Sequence, residues 1–267
     1  MPGVAVAQLL SSENRDENLR ALDALFSEAS QKGAELLVLP ENFAFMGRNE
    51  LDKLTVAEAE GTGLIQQTLS NLSRIYNIWV VAGTVPLKAP DGRVWASSLV
   101  FDANGRQVAR YDKMHLFDVH VSDSEVYEES KTCVPGKTPV VIDTPIGRLG
   151  LSVCYDVRFP ELYRELVNQG AEVFTMVAAF TAITGAAHWH TLLRARAIEN
   201  MSYILASNQG GLHANGRETY GHSLIVDPWG KILSEKQQGS GLIFAEIDLN
   251  YLHERRAAFP CLDHRIL

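Results

Sequence analysis

The chain has 267 residues, of which 46% are hydrophobic and 21% are charged, a composition typical of a globular protein with a sizeable core. Its formal net charge of -8 argues against a nucleic-acid partner, because proteins that bind phosphate backbones present a basic surface. No apolar run approaches the roughly 20 residues that cross a bilayer, and the apolar start MPGVAVAQLL has no basic segment before it. We therefore expect neither a membrane anchor nor a signal peptide.

Strand and helix alternate through the first part of the chain. Residues 3–10 (GVAVAQLL) are rich in strand formers, and apolar residues then recur at helical spacing. The continuous apolar run in GAELLVLPEN is typical of a strand covered on both faces. A second helix is predicted from about Gly63 to Tyr76, with Thr62 as its cap, and IWVVAGTV follows as another buried strand.

The middle of the chain has a different pattern. The Asp-Gly and Asn-Gly pairs at 91–92 and 104–105 are hairpin turn signals, so antiparallel strands are expected there. This pairing would place Lys113 at the end of a strand. The polar stretch 117–137 is expected to be a long loop that passes over a functional site.

Alternation of strands and helices resumes after residue 138. RLGLSVCYD and AEVFTMVAAF are strand-like, and PELYRELVNQG and HWHTLLRARAIENM are helical. The same order of features occurs twice: the end of a helix, a glycine, Ala-Glu and then an apolar strand. The two segments are QKGAELLVLPE and NQGAEVFTMVAA, and the repeat indicates two similar βαβ halves. We therefore predict an α/β protein, one domain over residues 1–267 with two sheets and helices outside them.

The three cysteines do not have the spacing of a disulfide framework or a zinc site. Cys133, Cys154 and Cys261 are few, odd in number and far apart, which suits a reducing, cytoplasmic location. Taken singly, each thiol has the simple interpretation of a small buried core residue.

Three polar residues at predicted strand ends together supply the groups that amide hydrolysis needs. Cys154 ends an apolar strand, where open α/β folds bind ligands and where a turn can offer N–H groups to an oxyanion. Glu41 follows an apolar run and a proline, and is a candidate general base. Lys113, if close to the thiol, would lower its pKa and bind an oxyanion. Taken alone, the carboxylate and the ammonium are most simply solvated surface groups, and the pattern by itself does not bring the three together.

Other constellations are weaker. His188 and His190 are two residues apart on a predicted helix, so their rings point to different faces and suit a shared metal poorly. A papain-like or glutamine amidotransferase site would pair Cys154 with a histidine. Its neighbours Val153 and Tyr155 are large for a tight nucleophile elbow. No phosphate-binding loop, dinucleotide fingerprint or HExxH motif is present.

Three segments in chain order, LLVLPEN, RYDKMHLFD and GLSVCYDVRFPEL, resemble the motifs of the nitrilase, or carbon–nitrogen hydrolase, superfamily. The resemblance extends over essentially the whole chain. It implies a four-layer αββα sandwich, a Glu–Lys–Cys triad at Glu41, Lys113 and Cys154, no cofactor or metal, and dimers formed through helix faces. It also implies an oxyanion site made by Lys113 and the N–H of Tyr155.

The resemblance further implies a second glutamate beside the triad. In EESKTCVPG this is Glu129, with Glu128 as the alternative register. An arginine four residues after the nucleophile, here Arg158, would hold a substrate carboxylate, and Phe180 and Thr184 would line the pocket. Chemistry supports Arg158 independently, because a guanidinium can bind a carboxylate through two hydrogen bonds. The alternative for Arg158 is a structural ion pair with a nearby carboxylate.

Motif details indicate the substrate class. True nitrilases usually carry Cys-Trp-Glu, whereas this chain has Cys-Tyr-Asp at 154–156, which favours amides over nitriles. The blocks AHWHTLLRARAIEN, TYGHSLIVDPWG and IDLNYL resemble those of deaminated glutathione amidases, with ω-amidases acting on α-ketoglutaramate and N-carbamoyl amino acid hydrolases as alternatives. His190 stands where many relatives have glutamate, so the substrate preference would differ if this position lines the mouth of the pocket. A binding protein that has kept the fold is the non-enzyme alternative.

Overall fold

The structure, a computed structural model, describes residues 1–122 and 125–266. In this part of the chain, strands and helices alternate as the sequence predicts. The α-helices are α1 (Arg15–Gln31), α2 (Leu64–Tyr76), α3 (Pro160–Asn168), α4 (Ala182–Asn200) and α5 (Leu249–Ala258). The strands are β1 (Gly3–Gln8), β2 (Ala34–Val38), β3 (Trp79–Lys88), β4 (Val94–Phe101), β5 (Gln107–Asp112), β6 (Asp118–Ser122), β7 (Glu125–Glu128), β8 (Val141–Thr144), β9 (Gly147–Val153), β10 (Val173–Ala178), β11 (Tyr203–Asn208), β12 (Gly210–Leu212), β13 (Glu218–Tyr220), β14 (Ser223–Val226), β15 (Ile232–Lys236) and β16 (Gly241–Glu246).

Two six-stranded sheets form the centre of the molecule. The first has the order β16-β1-β2-β3-β4-β5, and the second has the order β15-β14-β11-β10-β9-β8. In each sheet the three middle strands are parallel, β1-β2-β3 and β9-β10-β11, and antiparallel strands extend it on both sides. The helix–glycine–strand repeat in the sequence corresponds to α1-β2 and α3-β10, the centres of these two βαβ halves.

Alternating side chains on the strands build the layers. Val4 and Val6 of β1 face the second sheet, whereas Ala5 and Ala7, which alternate with them, face α1 and α2. Side chains on the far face of the second sheet pack against α3, α4 and α5. The order of layers is helices, sheet, sheet, helices, so the prediction of an αββα sandwich is confirmed.

Two local predictions were wrong. Thr62 does not cap α2: the carboxylate of Glu58 does so, by accepting hydrogen bonds from the N–H groups of Ile65 (2.7 Å) and Gln66 (3.2 Å). A buried carboxylate at a helix N-terminus also complements the helix dipole. The stretch 117–137 is not simply a loop, because it contains the β6–β7 hairpin and a 3₁₀ turn over Glu129–Lys131.

Two close approaches position the strand ends that carry the predicted site. Gly83 of β3 lies against the chain just after β2, where a Cβ atom would stand 1.7 Å from the carbonyl oxygen of Pro40. Only glycine fits there, so β3 can support the residue that follows Pro40. The hydroxyl of Thr84 accepts a 3.0 Å hydrogen bond from the N–H of Asn42, on the other side of Glu41.

None of the helices in residues 1–122 and 125–266 has the length and apolar character needed to span a bilayer.

Candidate active site

Glu41 is buried and held by donors from both sheets. One carboxylate oxygen accepts a 2.9 Å hydrogen bond from Lys113 Nζ, and the other accepts a 2.8 Å bond from the N–H of Ala179, directly after β10. Its backbone carbonyl accepts a further bond from Gln209. The two donors to the carboxylate fix its orientation.

Lys113 lies directly after β5, as predicted, and its ammonium is 2% exposed. It contacts two carboxylates, Glu41 at 2.9 Å and Glu129 at 2.9 Å. Burial alone would lower the pKa of Lys113, but the charges of Glu129 and Glu41 outweigh it and hold that pKa well above its ordinary value. Lys113 is therefore a fixed cation.

Glu129, and not Glu128, is the glutamate of the polar stretch that reaches this cluster. Its other contact is the N–H of Phe117, 2.7 Å from Oε2. Burial would raise the pKa of Glu129, but the charges of Lys113 and Lys53 lower it below its ordinary value. Glu128 is exposed and pairs with Lys131.

Cys154 follows β9 at the first position of a 3₁₀ turn, Cys154–Arg158. Its φ of 49° is in the left-handed region, an uncommon conformation for a residue with a side chain. Burial, with the nearby charge of Glu41, raises the pKa of the Cys154 thiol far above its ordinary value, and the charge of Lys113 only partly opposes this. Lys113 therefore acts on the pKa of the Cys154 thiol in the predicted direction, but burial and the carboxylate of Glu41 outweigh its effect.

Asp156 holds the turn that follows the nucleophile candidate, a role that the sequence analysis missed. Its buried carboxylate accepts hydrogen bonds from the N–H of Val153 (2.9 Å), the hydroxyl of Tyr111 (2.7 Å) and the N–H of His115 (3.1 Å). His115 Nδ1 lies 2.6 Å from the same carboxylate. The sequence feature that could have indicated this role is the position of Asp156, two residues after Cys154 in the segment GLSVCYDVRFPEL.

Glu41, Lys113, Glu129 and Cys154 all line one cleft, which measures about 690 Å³ with its open mouth. The polar stretch 117–137 forms part of its wall, as expected, through Phe117, Tyr127, Glu129 and Cys133.

Further polar residues that no sequence pattern singled out also line the cleft. Lys53 lies 2.6 Å from Glu50 and 3.8 Å from the sulfur of Cys133. Arg217, from the loop between β12 and β13, places its guanidinium 4.9 Å from the ring centre of Tyr127. The sequence analysis selected candidate site residues by their position at the end of an apolar strand, and neither Lys53 nor Arg217 has such a position.

The predicted substrate-binding residues do not line this cleft. Arg158 lies 3.3 Å from His188 Nδ1 and stacks over the rings of Tyr155 (5.8 Å) and Phe180 (5.3 Å). The ring of Phe180 packs on Trp189, and Thr184 bonds to Thr181. Among the described residues, Arg158 has no carboxylate within salt-bridge distance, so the alternative of a structural ion pair is not seen either.

Among the described residues, one cluster of side chains, which lies outside the cleft, could hold a metal ion. His190 and His222 lie 2.9 Å and 2.6 Å from the same carboxylate oxygen of Glu235. The three ligand atoms lie within 4.8 Å of one another. His190 therefore pairs with His222 and not with His188, and it lies outside the residues that line the cleft.

The chain is similar to known proteins over almost its whole length. Residues 3–257 match the family described as carbon-nitrogen hydrolase. A deaminated glutathione amidase of Synechocystis is 44% identical over 98% of this chain and 97% of its own length. The crystal structure of the Caenorhabditis elegans NitFhit protein superposes with a TM-score of 0.92 and 39% identity, over 99% of this chain and 65% of that longer chain.

A second structure places the resemblance in the superfamily named above. Saccharomyces cerevisiae Nit3, described as a member of branch 10 of the nitrilase superfamily, matches with a TM-score of 0.88 and 32% identity over 97% of this chain and 94% of its own. The predictions of superfamily and of an enzyme are confirmed, and the binding-protein alternative is not supported. The chain belongs to the carbon–nitrogen hydrolase family and is an amidase of the nitrilase superfamily.

Proposed function

We propose that this protein hydrolyses the amide bond of deaminated glutathione through a thioester on Cys154. The observation that carries the proposal is the buried cluster of Glu41, Lys113 and Glu129 in the same cleft as Cys154. It supplies a nucleophile, a proton acceptor and a fixed cation at one place.

The first step needs a base, because the raised pKa keeps the Cys154 thiol protonated at neutral pH. Glu41 takes this proton as the sulfur attacks the amide carbon, and the carbonyl oxygen becomes an oxyanion. Lys113 Nζ and the N–H of Tyr155 stabilise that oxyanion. Since the cation forms its ion pairs before substrate arrives, little reorganisation accompanies the charge development.

The remaining steps regenerate the thiol. Protonated Glu41 donates its proton to the departing nitrogen, the C–N bond breaks, and the acyl group stays on sulfur as a thioester. Glu41 then deprotonates a water molecule that attacks the thioester, the C–S bond breaks, and the proton on Glu41 returns to sulfur. Glu129 acts through Lys113 by holding it in place.

Deaminated glutathione is favoured as the substrate by the names of the relatives. Proteins from Synechocystis and Yersinia enterocolitica that are 44% and 42% identical over 98% of this chain are both named deaminated glutathione amidase. The C-terminal blocks TYGHSLIVDPWG and IDLNYL resemble that branch as well. An ω-amidase acting on α-ketoglutaramate is the second candidate, because α-ketoglutaramate and deaminated glutathione have the same α-keto acid group on the acyl side of the amide.

The test compares initial rates on deaminated glutathione, α-ketoglutaramate and a simple nitrile, for the wild type and Cys154→Ala, by detecting the acid product. The expected result is a higher kcat/KM for deaminated glutathione that is lost in Cys154→Ala. Preference for α-ketoglutaramate would move the protein to the ω-amidases. Turnover of none of these compounds by folded protein would overturn the substrate proposal.

We also propose a single catalytic domain over residues 1–267 and a homodimer in the cytoplasm. The three cysteines are free, which supports a reducing location.

Three exposed apolar side chains support self-association: Ile198, Trp229 and Phe259 are 46%, 53% and 54% exposed. The rings of Trp229 and Phe259 are in contact, with centres 5.9 Å apart. Sedimentation of the wild type and Trp229→Ser tests the dimer: loss of mass in the variant supports this face, and a monomeric wild type contradicts it.

A further inference from the structure

The cleft contains three cations, and two of them are already neutralised. Lys113 contacts Glu41 and Glu129, each at 2.9 Å. Lys53 contacts Glu50 at 2.6 Å. Among the described residues, Arg217 is the cation of this cleft without a carboxylate within 4.0 Å.

The guanidinium of Arg217 is also incompletely hydrogen-bonded. One terminal nitrogen donates to the carbonyl oxygen of Ala179. The Nε atom is buried and has no hydrogen-bond partner among the described residues. A buried, charged donor without an acceptor is costly, and an anion from outside the protein would remove that cost.

Arg217 is held in place close to the triad. The N–H of Ala179 donates to Glu41, and the carbonyl oxygen of the same residue accepts from Arg217. The guanidinium also stacks on Tyr127, and its charge acts on the Cys154 thiol. Arg217 and Cys154 line the same cleft, so one substrate can contact both groups.

Resting on the proposed function, we propose that Arg217 binds a carboxylate on the acyl side of the scissile amide and so selects amides of dicarboxylic acids. Both candidate substrates have such a group, because in each an α-keto acid carboxylate is separated from the amide carbon by three carbons. Arg158 is the competing residue. It also lacks a carboxylate partner among the described residues, but it does not line the cleft.

The test uses two amides with the same five-carbon chain, glutaramate with a terminal carboxylate and pentanamide without it. For each protein the measured quantity is the ratio of kcat/KM for glutaramate to kcat/KM for pentanamide. This ratio is expected to fall about 100-fold in Arg217→Gln, because charge-assisted hydrogen bonds to the carboxylate are lost. Arg217→Lys is expected to give an intermediate ratio.

Two controls decide the assignment. Arg106→Gln removes an exposed arginine in the turn between β4 and β5, and it is expected to retain the wild-type ratio. A ratio that falls in Arg158→Gln but not in Arg217→Gln would overturn the proposal in favour of Arg158.

A binding measurement separates this proposal from the proposed function. Glutarate, the product of glutaramate hydrolysis, is expected to raise the Tm of the wild type and of Cys154→Ala, but not that of Arg217→Gln. If the wild type cleaves no amide yet shows this shift, the proposed function fails and the Arg217 assignment stands. If glutarate stabilises wild type and Arg217→Gln equally, the Arg217 assignment fails.

Discussion

The carboxylate of Asp156 accepts a 2.7 Å hydrogen bond from the hydroxyl of Tyr111, and this bond joins the two sheets at the active site. Tyr111 is in β5, two residues before Lys113, and Asp156 is two residues after Cys154. Both groups are buried. The bond therefore connects the strand end that positions the cation to the turn that positions the nucleophile.

Replacing Asp156 with asparagine should destabilise the protein and misplace Cys154. The amide has one acceptor oxygen, and its NH₂ group would face donors from Tyr111, Val153 or His115 that now point at a carboxylate. We expect Asp156→Asn to lower the free energy of unfolding by about 3 kcal/mol. Urea denaturation measures this loss, and the kcat of the folded fraction should fall as well.

The matched control is Asp143→Asn, which changes an exposed carboxylate whose contact is Arg148 at 3.3 Å. Exposed ion pairs contribute about 0–1 kcal/mol, so this variant should unfold close to the wild-type midpoint. Equal midpoints for the two variants would show that Asp156 does not hold the turn.

The resting Cys154 thiol should react with iodoacetamide only as the pH rises. Since burial and Glu41 raise its pKa above the ordinary value of about 8.5, its thiolate fraction should increase about tenfold per pH unit between pH 7 and 9. Mass spectrometry of the Cys154 peptide measures the alkylation rate, with N-acetylcysteine as the reference thiol. A rate that reaches its plateau below pH 8 would indicate a resident thiolate instead.

Glu41→Gln should change two reactions of Cys154 in opposite directions. Removing the carboxylate charge lowers the thiol pKa, so alkylation at pH 8 should become faster than in the wild type. Amide turnover should fall by at least about 100-fold, because the general base is lost. A parallel fall in both rates would mean that the substitution disrupts the site and does not isolate the base.

Glu129 should matter for turnover and Glu128 should not. Glu129→Gln retains the shape of the side chain but removes one of the two charges that hold Lys113, so we expect kcat to fall about 100-fold with a smaller change in KM. Glu128→Gln changes an exposed partner of Lys131 and is expected to be close to wild type. Wild-type kcat in Glu129→Gln would contradict the positioning role.

Much of the fold follows from local patterns in the sequence. Apolar runs, helical spacing and turn dipeptides place most of the strands and helices, because each of these signals depends on neighbouring residues. The cap of α2 did not follow, since Glu58 reaches the helix from outside its predicted start. The hairpin within 117–137 was not predicted either, because its two strands are short and largely polar.

The site was predictable where chemistry coincides with strand ends. Lys113 and Cys154 directly follow a strand, and Glu41 lies three residues after the end of another, so position and residue type indicate the same site. Arg217 lies in the polar sequence HANGRETY, and nothing local distinguishes it from a surface arginine. Its role depends on contacts with Ala179 and with Tyr127, which are distant in the chain.

Protonation of His213 should loosen the hairpin that carries Arg217. His213 is 5% exposed, its Nδ1 lies 3.1 Å from the carbonyl oxygen of Ser11, and its Nε2 lies 2.8 Å from the hydroxyl of Thr219. A ring that donates from Nδ1 and accepts at Nε2 is neutral. Burial lowers the pKa of His213 in the folded state.

The sign of the resulting pH dependence follows from proton binding. The pKa of His213 is lowered in the folded protein and is about 6.5 in the unfolded chain. At a pH between these two pKa values, the unfolded chain binds a proton at His213 that the folded protein does not. The neutral, buried His213 therefore contributes less to the free energy of unfolding as the pH falls below about 6.5. One such group contributes at most about 1.4 kcal/mol per pH unit. We expect His213→Asn to reduce the loss of unfolding free energy between pH 7 and 5, measured by urea denaturation, whereas His264→Asn, in the exposed C-terminal segment, should retain the wild-type slope. Identical slopes in the two histidine variants would assign the acid sensitivity to other groups.

The same protonation should weaken substrate binding. The backbone N–H of His213 donates a 2.9 Å hydrogen bond to the carbonyl oxygen of Arg217, so the wild-type KM for glutaramate should rise as the pH falls from 7 to 5.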